Sequence, residues 1–331
     1  MRRLFFMLLS VAIVATGCHD STSQQRALHH PEPTNAIYHW KGSFEPTAEE
    51  LAFLERHNIG RLYIRMFDVV ADYDYERDDI EAVPIATTRF KAPIPAGVEV
   101  IPVTYITLEG LKIMKDLESE YAELLVQRLL AMASYNNCGE IREVQFDCDW
   151  TATTRDSYFE LCRVARELLD EKGVELSVTV RLHQLREEAP EVARGVLMLY
   201  NTGAIKSYNT RNSILDIADV EPYMHPREYA LPLDYAYPAY GWGVKFRDKQ
   251  FVGLVSDENS ADVEEGEMLR RERASAEEVL EVKALVEKTF GTPYQSNILY
   301  HLDIDELNNY TDDEIFEMFA HNEHSDTATR N

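Results

Sequence analysis

The chain has 331 residues, 45% of them hydrophobic, and a formal net charge of −25 at pH 7. That apolar content supports a large core. The acidic balance argues against nucleic acid, whose phosphates require a basic face. A neutral ligand is easier to reconcile with it, although a charge that only maintains solubility fits equally well.

The N-terminus reads as an export signal. Arg2 and Arg3 precede an almost entirely apolar run over residues 4–16, too short to span a bilayer comfortably. It ends in Ala15-Thr16-Gly17-Cys18, which resembles the bacterial lipobox, with Ala15 where Leu is commoner. The resemblance implies a signal peptide over residues 1–17, lipid on Cys18 and a membrane partner for the mature chain. The competing reading is an ordinary secretory signal with an incidental Cys. Residues 18–35 are rich in Ser, Thr, Gln, His and Pro, and are expected to be a flexible tether. The expected address is the cell envelope, first the outer membrane, with periplasmic and outward-facing positions both open.

Beyond the tether, β-branched and aromatic runs alternate with amphipathic stretches, the pattern of parallel strands with crossover helices. A strand at 36–41 leads to a helix opening with the cap-like Thr47-x-x-Glu50. A second strand covers 61–69, and 72–95 reads as a long irregular loop with at most a weak helix. A third strand at 98–106 precedes a long helix at 110–135. A fourth strand at 141–150 precedes a helix at 156–171. The fifth strand, 175–183, is followed by a short helix at 190–194, and the sixth, 195–200, by a helix at 214–220. The seventh strand covers 230–237. Residues 241–246 and 250–255 then alternate around Arg247-Asp248-Lys249 as a hairpin. A helix at 275–290, an eighth strand at 296–303 and a last helix at 311–321 complete the chain. The predicted fold is α/β: a single (β/α)8 barrel over residues 36–325 with a β-hairpin insertion after strand 7 and a disordered tail at 326–331. The rival, an open doubly wound sheet that binds a nucleotide, lacks the Gly-rich loop after its first strand.

The active face of such a barrel lies at the C-terminal ends of its strands. On the fourth strand, alternation puts Gln145, Asp147 and Asp149 on one face and Val144, Phe146, Cys148 and Trp150 on the other. The apolar set belongs against the helices, so both Asp residues are expected inside. Neighbouring carboxylates repel, which can protonate one while the other stays ionised. The alternative is that each pairs with an inward cation, Arg65 or Arg181. Cys138, Cys148 and Cys162 have no metal-type spacing. Cys148 and Cys162 form a disulfide, or all three are buried thiols. No motif points to a metal or a cofactor.

Asp147-Cys148-Asp149-Trp150 resembles the latter part of the fourth-strand motif of family-18 glycoside hydrolases, the chitinases and endo-β-N-acetylglucosaminidases. Met198-Leu199-Tyr200-Asn201 is similar to their sixth-strand Met-x-Tyr-Asp/Asn. Pro238-Ala239-Tyr240-Gly241-Trp242 is similar to the segment after their seventh strand. The chain is also similar to bacterial glycosidase-like barrels with a fourth-strand Asp-Phe-Asp. Two positions depart from the family pattern: Thr151 stands where the catalytic Glu is expected, and Val144 where the first Asp is expected.

The resemblance implies a glycan-related role. Asp149 would orient or stabilise the reacting sugar, and Asp147 would tune Asp149. Arg65, Arg181, Met198, Tyr200 and Asn201 would contact an oligosaccharide. Trp40, Trp150, Tyr235, Tyr240 and Trp242 are candidate stacking platforms, because aromatic faces suit the C–H faces of sugars. Asp68, Glu109, Asp234 and Asp303 are the acids that could stand in for the missing Glu. Thr151 equally suits a non-catalytic glycan-binding lipoprotein, and a third possibility is an envelope scaffold that binds protein.

Overall fold

The computed structural model describes residues 33–321, apart from 77, 226–228 and 257–262. The expected signal segment, Cys18, most of the tether and the tail at 326–331 lie outside the described residues. No described helix is long and apolar enough to cross a membrane.

Eight strands form the barrel: β1 (Asn35–His39), β2 (Ile59–Asp74), β3 (Glu99–Ile106), β4 (Glu143–Asp147), β5 (Glu175–Val180), β6 (Arg194–Met198), β7 (Leu233–Pro238) and β8 (Asn297–Tyr300). Each pairs in parallel with its sequence neighbour, and β8 pairs with β1 to close the ring. Burial on both faces accounts for the near-continuous apolar runs of these strands. The architecture is the (β/α)8 barrel expected from the sequence.

The helices are α1 (Ala48–Arg56), α2 (Leu108–Ile113), α3 (Glu118–Tyr135), α4 (Arg155–Asp170), α5 (Ile217–Val220), α6 (Ala276–Phe290), α7 (Ile304–Leu307) and α8 (Asp312–Phe319). Capping boxes at Thr47, Ser275 and Thr311 start α1, α6 and α8.

Four local expectations are corrected. The helix expected over 110–135 is two helices, because Asp116 takes a left-handed backbone at φ 67° that an α-helix cannot accommodate. No helix occupies 190–194. A single 3₁₀ turn, Leu182–Arg186, lies between β5 and β6, and Arg194 already opens β6 with its side chain in the barrel floor. The expected loop at 72–95 contains a strand, Asp79–Ile85, antiparallel to the extended end of β2. Its pairings Asp72↔Glu81 and Asp74↔Asp79 set acids opposite acids, which disguised a strand as a solvated loop. The insertion after β7 is a three-stranded sheet. The expected hairpin, Gly241–Arg247 with Gln250–Ser256, gains Glu267–Arg273, whose five charged residues masked it.

The barrel interior is polar at its floor. Arg61 and Arg194 both donate to Glu143 and to Gln295, the latter bonds each 2.8 Å, and Arg61 also reaches Glu99. Asp234 accepts from the backbone of Gln295 and Ser296 at 2.6 and 2.8 Å. Above this layer Tyr38 donates to Gln145 at 2.7 Å. Cys138, Cys148 and Cys162 are free, buried thiols, so Cys148 and Cys162 form no disulfide.

Candidate active site

Asp147 is the last residue of β4 and Asp149 lies two residues beyond it. Alternation aims both inward, but their surroundings differ. Asp147 is 4% exposed and accepts a 2.6 Å bond from the Thr179 hydroxyl. Burial pushes its carboxyl up to about 6; the Arg181 guanidinium opposes that, Asp149 adds to it, and the Thr179 bond lowers it slightly. Asp149 is about one-third exposed and accepts from Nε of Arg181, which follows β5. The loop carrying Asp149 is fixed from outside, where the Gln184 amide donates to the carbonyls of Trp150 and Cys148 at 3.0 and 3.3 Å.

Arg181 lies 5.7 Å from the ring centre of Tyr200. Arg65 donates to Asp68 at 3.1 Å and lies 5.9 Å from the Trp40 ring. The two expected cations therefore divide: Arg181 pairs with a fourth-strand Asp, while Arg65 pairs with Asp68 on its own strand. Asp149, Arg181, Met198, Tyr200 and Asn201 line a cavity of about 330 Å³ at the barrel mouth, together with His183 and Tyr223. Asn201 has a left-handed backbone at φ 55°, which its short polar side chain tolerates, and its Oδ1 accepts from Tyr240 at 2.7 Å.

An aromatic group adjoins this cavity through Tyr200 and is centred on Tyr300 at the end of β8. Its ring centre lies 4.7 Å from Tyr200, 5.6 Å from Tyr240, 5.7 Å from Trp40 and 5.8 Å from Tyr38. Trp242 touches the group through Tyr240 and anchors its Nε1–H on Glu272 at 2.7 Å.

Two expected platforms do not belong here. Trp150 is 1% exposed and packs against Tyr158 and Phe159 of α4, on the helix side of the barrel wall. Tyr235 donates to the Gly291 carbonyl beyond α6, because alternation on β7 sends Asp234 inward and Tyr235 outward. Among the substitute acids, Asp234 lies in the floor, Glu109 is exposed in the first turn of α2, and Asp303 caps α7 and pairs with Lys41 at 3.3 Å. Thr151 places its hydroxyl 3.0 Å from that of Thr153.

Tyr300, Thr179, Tyr105, His183 and Tyr223 are the site residues that sequence reasoning missed. Tyr105, on β3, is pushed up to about 12 by burial and then by Asp149 and Asp147. Tyr300 and Thr179 follow the strand-end and alternation rules that located Trp40 and Asp147, applied to β8 and β5.

No family model and no curated protein sequence matches the chain. Solved structures do. The Bacillus cereus spore cortex-lytic enzyme SleL superposes with a TM-score of 0.53 at 14% identity, over 87% of this chain and 75% of that one. A chitinase from Chromobacterium violaceum gives 0.53 at 13%, over 83% and 96%. The GH18 chitinase ChiB of Flavobacterium johnsoniae gives 0.51 at 13%, over 86% and 93%. The chain thus shares the family-18-like glycosidase barrel as a fold.

Proposed function

We propose that this chain is a glycoside-hydrolase-like lipoprotein that engages an oligosaccharide outside the cytoplasm at the C-terminal mouth of its barrel. The observation that carries the reading is the convergence there of Asp147, Asp149 and Arg181 with the aromatic group around Tyr300. Such a mouth offers ring faces for the apolar side of a sugar and charged groups for its hydroxyls. The solved structures it resembles include chitinases and a spore cortex-lytic enzyme, which favours polymers containing N-acetylated amino sugars. Asp149, paired with Arg181, would orient the sugar; Asp147, whose carboxyl burial pushes up to about 6, would tune Asp149. Lipid on Cys18 would hold the barrel at an envelope membrane.

A second reading, glycan capture without turnover, is favoured by Thr151, whose hydroxyl cannot protonate a leaving group and bonds instead with Thr153. Incubating the purified full chain with a glycan array and analysing the products of every hit separates the two. Cleavage supports the hydrolase, binding without cleavage supports the receptor, and no binding defeats both.

A further inference from the structure

We propose that a groove on the outer wall of the barrel binds a fatty carboxylate, with the alkyl chain lying between β2 and α3 and the carboxylate on Arg128. The site is remote from the barrel mouth and does not depend on the glycan reading.

The groove exists because one piece of the helical layer is missing. Among the described residues, β2 and β3 are joined only by the strands Asp79–Ile85 and Arg89–Phe90, whereas the remaining connections between consecutive barrel strands contain an α-helix or a 3₁₀ turn. β2 nevertheless turns apolar side chains to that side. Its register with β3 runs Arg65↔Val103, then Phe67↔Thr104, so Met66 is an extra residue. Such a bulge reverses the phase of side chains beyond it. Before the bulge Arg61 points inward, to Glu143 in the floor. After it, Phe67 and Val69 point outward and join Ala82 and Pro84 of the paired strand as one wall of the groove. The opposite wall is a stripe on α3 that runs from Tyr121 through Leu124, Arg128 and Ala131 to Tyr135. The space between them is about 620 Å³, within the range of small-molecule sites. Leu124 and Tyr135 on its rim are exposed.

The lining selects the occupant. Of its twelve residues only Arg128 is charged, in a chain whose net charge is −25. The residues three and four positions from Arg128 along α3 are Leu124, Leu125, Ala131 and Met132, so the helix places no carboxylate beside it. Arg128 donates to the Thr87 hydroxyl at 3.1 Å and lies 4.9 Å from the Phe67 ring centre; among the described residues it has no acidic partner. A fatty carboxylate supplies an anion for the guanidinium and methylenes for the apolar walls. An extended peptide fits less well, because its backbone N–H and C=O groups need partners. On the edge strand Asp79–Ile85 the Ala82 N–H already donates to the Tyr121 hydroxyl at 3.3 Å, and Pro84 has no N–H to offer. A helix with its side chains is about 10 Å across, so this volume holds roughly one and a half turns, too few for the i, i+4, i+7 anchors of helix-in-groove binding.

The test titrates the purified full chain with cis-parinarate, a fluorescent long-chain carboxylate, and displaces it with dodecanoate, octanoate and dodecan-1-ol. The proposal expects saturable binding at one site per chain. Dodecanoate should bind at least about tenfold more tightly than octanoate, because each buried methylene contributes roughly a fourfold factor. It should also bind at least about tenfold more tightly than dodecan-1-ol, because a hydrogen bond to a charged group is lost with the alcohol. Arg128→Gln should erase the preference for carboxylate while leaving the affinity for the alcohol unchanged, a result that general loosening of the fold does not produce. Ala131→Trp, at an exposed helical position in the groove, should weaken every probe at least about tenfold without lowering the melting temperature. If Arg128→Gln does not fold, Ala131→Trp and the comparison of carboxylate with alcohol on the unaltered chain still decide. Absence of saturable binding, equal affinity for carboxylate and alcohol, or binding unchanged in Ala131→Trp overturns the proposal. A dimer that Ala131→Trp dissolves, or flotation with phosphatidylglycerol vesicles that Ala131→Trp abolishes, each without binding of the free carboxylates, gives the groove to a second copy or to a membrane and overturns it too.

Discussion

Nε of Arg181 donates to Oδ1 of Asp149 at the rim of the barrel, so the more exposed of the two fourth-strand carboxylates is held by a cation from the next strand. Asp147, one step deeper, has the Thr179 hydroxyl as its close partner and feels Arg181 only through space. Replacing Arg181 by Met removes the charge that opposes burial at Asp147. The Asp147 carboxyl should then titrate higher than about 6, by at least one pH unit, when followed by carbon NMR of labelled Asp. A midpoint that stays put would mean that Arg181 does not govern the pair.

Acid should destabilise the fold before it protonates most carboxylates. Burial lowers His39 and His301 to about 4, from an ordinary 6.5. Between pH 6.5 and 4 the unfolded chain takes up two protons that the folded chain refuses, so stability present above 6.5 is lost in that window. Asp147 has the opposite sign. Its raised value means that the folded chain gains a proton before the unfolded one as pH falls from 6 to about 4. At about 1.4 kcal/mol per unit, each histidine contributes roughly 3 kcal/mol and Asp147 offsets about one of them. The urea midpoint should fall from pH 7.5 to 4.5, and fall more steeply in Asp147→Asn. A flat or rising profile would contradict the burial of these histidines.

The floor of the barrel depends on Glu143, which is 2% exposed and accepts from Arg61 and Arg194. Glu143→Ala leaves two buried guanidinium groups without their main acceptor and should cost about 3–5 kcal/mol. Chemical denaturation measures this directly. A change within about 1 kcal/mol would show that water or Gln295 satisfies both cations.

Two tryptophans that look alike in the sequence should separate by phenotype. Trp150→Ala opens a cavity beneath α4 and should cost about 3–5 kcal/mol of stability while leaving the glycan affinity of the folded protein intact. Trp40→Ala should cost less stability and weaken binding by about tenfold, or 1.4 kcal/mol. Titration calorimetry beside thermal melts distinguishes them, and the reverse pattern would move the sugar site to the other side of the wall.

The barrel was legible because alternating strand and helix textures report burial directly, and the inward face of β4 was legible because Gln145, Asp147 and Asp149 alternate with the apolar Val144, Phe146, Cys148 and Trp150. What escaped had local reasons. Met66 breaks the period of β2, so simple alternation from Arg65 points Asp68 the wrong way. Trp150 lies at a strand end like Trp40, but its own alternation with Phe146 and Cys148 sends it to the helices. The strand Glu267–Arg273 reads as solvated because its buried acid, Glu272, is matched by Ser213, Trp242 and Arg270, partners remote in sequence or on the same charged strand. Tyr300 ends β8 as Trp40 follows β1, but its central place among the rings comes from long-range contacts with Tyr200 and Tyr240.

Lipid attachment has its own readout. Cells making the full chain with labelled palmitate should yield a labelled protein in the membrane fraction, and Cys18→Ser should abolish both label and sedimentation. A labelled Cys18→Ser chain, or an unlabelled membrane-bound parent, would displace the anchor from that position.

The most direct test of the central claim is a glycan array probed with the full chain and with Tyr300→Ala in parallel. Engagement at the barrel mouth predicts binding to oligomers of N-acetylated amino sugars by the parent and at least about tenfold weaker binding by a folded Tyr300→Ala. Equal binding by both proteins, or none by the parent, would contradict it.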